Sequence, residues 1–181
     1  MTLKNSAITL VAIVILATGC SPGRTLFTSQ QLPAANPHAS TLTAEPLVPW
    51  QLQFIAQSLD GGGFSGEDLW GKPAVLWFWE PSCAACKSQA TIVRAAAAKH
   101  PGITFVGVGI KASATDLRAF IRNHPMEFTQ VIDTSTNISS RFGITQSPAC
   151  AFITEGGVIN TAKKPLSQHD LTKQVNKLND A

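Results

Sequence analysis

Tyrosine is absent from the 181 residues, methionine occurs only twice, and charged residues make up just 14% of the chain. The formal charge of +3 is thinly spread, and no basic cluster exceeds the pair Lys163-Lys164. Nucleic acid is therefore not an expected partner, because backbone binding takes a basic patch or stripe. Met1 and Met126 are too few to suggest a thioether copper site. Of the four cysteines, only Cys83 and Cys86 stand close together; Cys20 and Cys150 are isolated, and His38, His100, His124 and His169 are scattered. No second ligand pair is at hand to complete a zinc site, so no metal is expected. Internal repeats are also missing. What remains is a chain with 44% hydrophobic residues, enough for one core plus appendages.

Residues 1–19 read as an export signal: Lys4 supplies the positive region, Ala7 to Ala17 is mostly apolar, and Ala17-Thr18-Gly19 places small residues before Cys20. The apolar run is short for a bilayer span. Its ending resembles a bacterial lipobox, which implies that Cys20 is the first mature residue and carries a lipid anchor at the outer face of the cell membrane. Leu16 stands one place further from Cys20 than the usual lipobox leucine. The alternative is an ordinary secretory signal, a free Cys20 and a secreted domain. Either route leads out of the cytoplasm, where disulfides persist. Residues 20–49 then form a linker with Pro22, Pro33, Pro37, Pro46 and Pro49 and only Arg24 and Glu45 charged. It would span about 30 Å as a coil and about 90 Å if polyproline-like.

From Trp50 to the C-terminus the pattern is that of one α/β domain. Leu52, Phe54 and Ala56 alternate with glutamines as in a half-buried strand, and Asp60-Gly61-Gly62-Gly63 marks a turn. Ala74 to Trp79 lacks polar alternation and predicts a central strand covered on both faces. Ala84 to His100 predicts a helix with Cys86, Ala90, Val93 and Ala97 on one stripe, and Ile103 to Ile110 a second strand, so the three form a parallel βαβ unit. Ser113 to Asp116 is a helix cap preceding Leu117, Phe120 and Ile121, and a short helix is expected around Ile138 to Phe142. Ala149 to Thr154 and Val158 to Thr161 predict a hairpin about Glu155-Gly156-Gly157, followed by a helix after Ser167 that buries Leu171, Val175 and Leu178.

The Cys-x-x-Cys pair sits where the apolar strand meets the first helix. Two intervening residues allow a small ring to close on oxidation, and a helix N-terminus offers free N–H groups and positive dipole charge to a thiolate. Cys83, at the helix start, is the expected nucleophile; Cys86 lies one turn further in. Half a zinc site or a structural disulfide would show the same spacing. Pro148 has no N–H, and a cis Ser147-Pro148 bond would turn the preceding backbone outward to pair with an extended substrate. Cys150 reads as a buried core thiol, with a disulfide to Cys83 or to a partner as the sharper alternative.

Trp79-x-Pro81-x-Cys83-x-x-Cys86 at a strand-to-helix junction, followed by βαβ, Ser147-Pro148, a hairpin and a helix, resembles the thioredoxin superfamily from about Trp50 to Asp180. The insertion before the proline strand, together with Val75-Leu76-Trp77-Phe78-Trp79 and Thr104-Phe105-Val106-Gly107-Val108, is similar to the TlpA and DsbE branch, and within it to actinobacterial lipoproteins of DsbF type. The resemblance implies a thioredoxin-like mixed sheet flanked by helices and an exported thiol-disulfide oxidoreductase. It further implies Cys83 as exchanging sulfur, Cys86 as resolving thiol, Pro148 as cis-proline, and no cofactor beyond the Cys83–Cys86 disulfide. Implied partners are exported proteins with free thiols and a membrane reoxidase of the vitamin K epoxide reductase kind. Ser82 replaces the usual tryptophan, Gln89 a common glutamate, and Thr91 a proline, while Glu80 stands where a small residue is common. Glu80 and Gln89 are thus the candidates for proton handling near Cys86, although Gln89 cannot titrate. Net oxidation of substrates is the expected direction; a reductase of cytochrome c biogenesis and a copper-binding metallochaperone are the alternatives.

Overall fold

The computed structural model describes residues 47–179, so the expectations for the export signal, Cys20 and most of the linker fall outside the described residues. A 3-10 turn at Trp50–Leu52 leads into an antiparallel pair, β1 (Ile55–Gln57) and β2 (Gly63–Ser65). Leu52, Phe54 and Ala56 are buried as their alternation requires. The regular strand nevertheless starts late, because Leu52 N–H and Gln53 N–H bond back to the Pro49 and Trp50 carbonyls at 2.9 and 3.2 Å instead of joining a ladder.

All six residues of β3 (Ala74–Trp79) are buried. It is the middle strand of a five-stranded sheet ordered β5-β4-β3-β6-β7. On one side it runs parallel to β4 (Thr104–Ile110), with Ala74 opposite Thr104; on the other it runs antiparallel to β6 (Ala149–Ile153), with Trp77 opposite Cys150. The connection from β3 to β4 is α1 (Ala84–Lys99), which buries Cys86, Gln89, Ala90, Val93 and Ala96; Ala97, expected on this stripe, is only partly covered. Val75, Trp77 and Trp79 face a cluster containing Val93, Phe120, Leu171 and Val175, whereas Ala74, Leu76 and Phe78 face Phe54, Leu69, Ile138 and Phe142.

After β4 comes α2 (Ala114–Asn123), whose Ser113 hydroxyl accepts from Asp116 N–H at 3.2 Å and donates to the Asp116 carboxylate at 2.6 Å. The chain then forms β5 (Gln130–Asp133), parallel to β4, in a stretch where no strand was expected. Gln130 and Asp133 are buried polar residues and leave only Val131-Ile132 as an apolar signature. The sheet accommodates Gln130 because position 107 is glycine: a Cβ there would collide with the Gln130 amide. Asp133 in turn accepts from Ile138 and Ser139 N–H at 3.0 and 2.8 Å, which caps α3 (Asn137–Arg141). Gly143, at φ 63°, closes α3 in a Schellman turn, with Gly143 N–H on the Ser140 carbonyl and Ile144 N–H on the Ser139 carbonyl, each at 3.0 Å. This turn sends the chain toward β6. β6 pairs with β7 (Ile159–Ala162) as the expected hairpin, and α4 (Gln168–Asn179) packs Leu171, Val175 and Leu178 into the core. The architecture is therefore the expected mixed sheet between helices.

Candidate active site

β3 ends at Trp79, and the turn that follows is closed by Cys83 N–H on the Glu80 carbonyl at 3.2 Å. Cys83 thereby becomes the N-cap of α1. Its sulfur accepts from Cys86 N–H at 2.9 Å, the role a serine or aspartate oxygen plays at ordinary caps. Cys83 and Cys86 are joined by a disulfide with their Cα atoms 5.2 Å apart. The two sulfurs are unequal in access: Cys83 is half-buried, while Cys86 is fully covered on the stripe that also buries Ala90 and Val93. Ser82, Ala84 and Ala85 around Cys83 are exposed.

A second segment completes the site from far along the chain. The Ser147-Pro148 peptide is cis, and the Ser147 carbonyl oxygen lies 3.6 Å from the Cys83 sulfur. In the disulfide that sulfur carries no proton, so this is a packing contact rather than a donated hydrogen bond. Pro148 is buried immediately before Ala149, which pairs with Phe78, so the β3–β6 register sets the proline beside the disulfide turn. The Ser147 hydroxyl oxygen is buried without a hydrogen-bond partner.

Glu80 is half-buried at the start of the turn. Gln89 is buried, with Oε1 accepting from Trp77 Nε1–H at 2.8 Å and Nε2 donating to the Leu166 carbonyl at 3.2 Å. It links β3, α1 and the approach to α4. The resemblance pointed to Gln89 as a candidate near Cys86, but neither of its hydrogen-bond partners had a signal in the sequence. Lys111 carried no signal in the sequence: it adopts φ 54° just past β4 and donates from Nζ to the Thr145 carbonyl at 2.7 Å. A cleft of about 520 Å³ lined by Leu59, Arg118, Met126 and Phe128 includes neither cysteine, so the Cys83–Cys86 disulfide lies outside that cleft.

This combination defines a class: a thioredoxin-fold thiol-disulfide oxidoreductase. The AhpC/TSA family model matches residues 50–162, and the chain belongs to that family. Among individual relatives, the soluble secreted antigen MPT53 of Mycobacterium tuberculosis is 35% identical over 128 residues, which is 69% of this chain and 74% of that protein. The structure of MTB DsbF, in mixed oxidised and reduced forms, matches with a TM-score of 0.71 at 44% identity, covering 73% of this chain and 99% of that one. A secreted M. tuberculosis disulfide oxidoreductase homologous to E. coli DsbE matches with a TM-score of 0.68 at 35% identity, covering 71% and 98%.

Cys150 is a free thiol, fully buried opposite Trp77 and unpaired with Cys83. Desolvation pushes its pKa up to about 12, so it stays protonated in the fold. Alkylation of the reduced, folded protein followed by peptide mapping is expected to modify Cys83 and spare Cys150; modification of both at similar rates would contradict its burial. Because the unfolded thiol ionises near its ordinary 9.0 and the folded one does not, stability falls as pH rises from about 9 to about 12. The slope is about 1.4 kcal/mol per pH unit. Cys150→Ala should lose that part of the alkaline decline.

Proposed function

We propose that this chain is an exported oxidant of protein thiols that uses Cys83–Cys86 as its exchangeable disulfide, with no further cofactor. The observation that carries the reading is the asymmetry of the pair: a half-exposed sulfur at a helix N-cap, facing the cis-proline segment, with its partner buried. A substrate thiolate attacks the Cys83 sulfur, a substrate–Cys83 disulfide forms, the Cys83–Cys86 bond breaks, and the electron pair leaves on Cys86. A second substrate thiolate then attacks the substrate sulfur of the mixed disulfide and releases Cys83 as thiolate. Two electrons pass from substrate to protein; of the two thiol protons the substrate loses, one is taken up by Cys86 and the other goes to solvent while Cys83 remains a thiolate. The Cys86 N–H and the α1 dipole favour negative charge on the released Cys83 sulfur, by about 2 kcal/mol for a charge-assisted bond. That would raise the reduction potential by about 40 mV. Reoxidation by a membrane partner of the vitamin K epoxide reductase class would complete the cycle.

Export is supported by the signal-like residues 1–19 and by the secreted relatives. Anchoring through Cys20 rests on its lipobox-like setting alone. Metabolic labelling with a fatty-acid analogue is expected to tag the wild-type chain and not Cys20→Ser; an untagged wild type would leave an ordinary secretory signal as the reading.

The exchange itself is tested with a reduced, unfolded protein as substrate. Cys86→Ser is expected to accumulate mixed disulfides through Cys83, and Cys83→Ser to trap little. Equal trapping by both would overturn the assignment. Equilibration with glutathione is expected to give a potential between about −270 mV, a cytosolic reductant, and about −120 mV, a strong periplasmic oxidant. A value at the reducing end, with no oxidation of the unfolded substrate, would instead support a reductase of the haem-attachment pathway. Glu80, half-buried at the edge of the turn, is the proposed acceptor of the Cys86 proton when the reduced pair is reoxidised. Glu80→Gln should alter the pH profile of that step, and superimposable profiles would reject the role.

A further inference from the structure

Lys111 follows the last residue of β4 and adopts φ 54°, a left-handed conformation that residues other than glycine and asparagine seldom take. Its ammonium group donates to the Thr145 carbonyl at 2.7 Å. Thr145 lies in the segment Gly143 to Pro148 that runs from the end of α3 into β6. In the sheet order, β4 and β6 flank β3 on opposite sides. The Lys111 bond therefore ties the end of β4 to the entry of β6, around the strand end from which the disulfide turn departs. Two residues beyond Thr145 is Ser147, whose carbonyl packs 3.6 Å from the Cys83 sulfur. The anchored backbone is thus continuous with the backbone that lies against the exchanging atom.

We infer that Lys111 is a positioning residue for thiol-disulfide exchange: it holds the Thr145–Pro148 backbone in the place where a bound polypeptide meets Cys83. The inference rests on the exchange reading above and deepens it by assigning how the protein-substrate side of the site is held. Ser147 and Pro148 contribute no salt bridge or side-chain clamp of their own, and the Ser147 hydroxyl is unpartnered. The lysine is the charged group that bonds directly to this segment. A polypeptide substrate must lie along the segment, whereas a small dithiol needs only the sulfur.

The test compares the full-length wild type with Lys111→Met, which keeps the chain length and removes the donor, and Lys111→Arg, which restores a cationic donor. Each oxidised protein is reacted with a reduced cysteine-containing peptide and, separately, with dithiothreitol, and each melting temperature is recorded. Lys111→Met is expected to lose about tenfold in the second-order rate constant for its single-turnover reduction by the peptide, chiefly through a higher half-saturating peptide concentration. Its loss with dithiothreitol should be at least about fivefold smaller, and Lys111→Arg should recover most of the peptide rate. Equal losses with both reductants would show that the ammonium acts on the sulfur's charge or on the fold, and would overturn the positioning role. An undiminished peptide rate in Lys111→Met would do the same. A wild type that exchanges with neither reductant would instead bring down the exchange reading, and the inference with it.

Discussion

A strand with no solvent-facing side dictates much of this molecule. Each of the six residues from Ala74 to Trp79 is buried, so β3 needs a partner along both edges and a layer over both faces. Its two tryptophans supply the largest single contributions: an aromatic ring burying about 200 Å² is worth about 5 kcal/mol. Burial also takes each indole N–H away from water, where an unmet donor costs about 1–3 kcal/mol. Gln89 satisfies Trp77 from α1, and Gln130 satisfies Trp79 from β5 at 3.1 Å. These glutamines bind neighbouring elements to the central strand, and the absence of a side chain at Gly107 leaves room for one of them.

The chemistry follows from where that strand stops. Four residues separate the end of β3 at Trp79 from the start of α1 at Ala84, so the unpaired N–H groups of α1 are presented beside the C-terminal edge of the sheet. Cys83 occupies the cap position and its sulfur takes one of those N–H groups, which means the atom that completes the helix is also the more accessible sulfur of the disulfide. Three residues on, helical periodicity turns Cys86 into the core stripe with Ala90 and Val93. The inequality between the two thiols is thus a property of helix geometry. The open surroundings of Cys83, with Ser82, Ala84 and Ala85 all exposed, suit a substrate the size of a protein better than one enclosed by a pocket.

The second strand of the site is supplied by topology. β6 pairs antiparallel with β3, so its first residue stands beside the last residues of β3 and delivers Ser147-Pro148 to the sulfur. The path into β6 is shaped by the buried carboxylate of Asp133 at one end of α3 and by the left-handed Gly143 at the other. TM-scores of 0.71 and 0.68 to MTB DsbF and to a secreted M. tuberculosis disulfide oxidoreductase show that the overall fold is shared with those two structures.

Much of this was legible in order along the chain. The central strand announced itself by an unbroken apolar run, α1 by its stripe, α2 and α4 by the Ser113/Asp116 and Ser167/Asp170 caps, and the hairpin by Gly156-Gly157. The Cys-x-x-Cys pair and its strand-to-helix setting were likewise local features. β5 was invisible because Gln130 and Asp133 break its apolar pattern, and their burial makes sense only once Trp79 and the N-terminus of α3 are in place to bond them. The same holds for Gln89, whose partners lie 12 and 77 residues away in sequence, and for Lys111, whose acceptor lies 34 away. By itself the sequence determined the elements whose reasons are local: periodicity, caps, turns and the spacing of two sulfurs. Tertiary structure alone decided which polar groups could be buried and what faces Cys83, because hydrogen-bond partners and neighbouring strands become known only when distant segments are brought together.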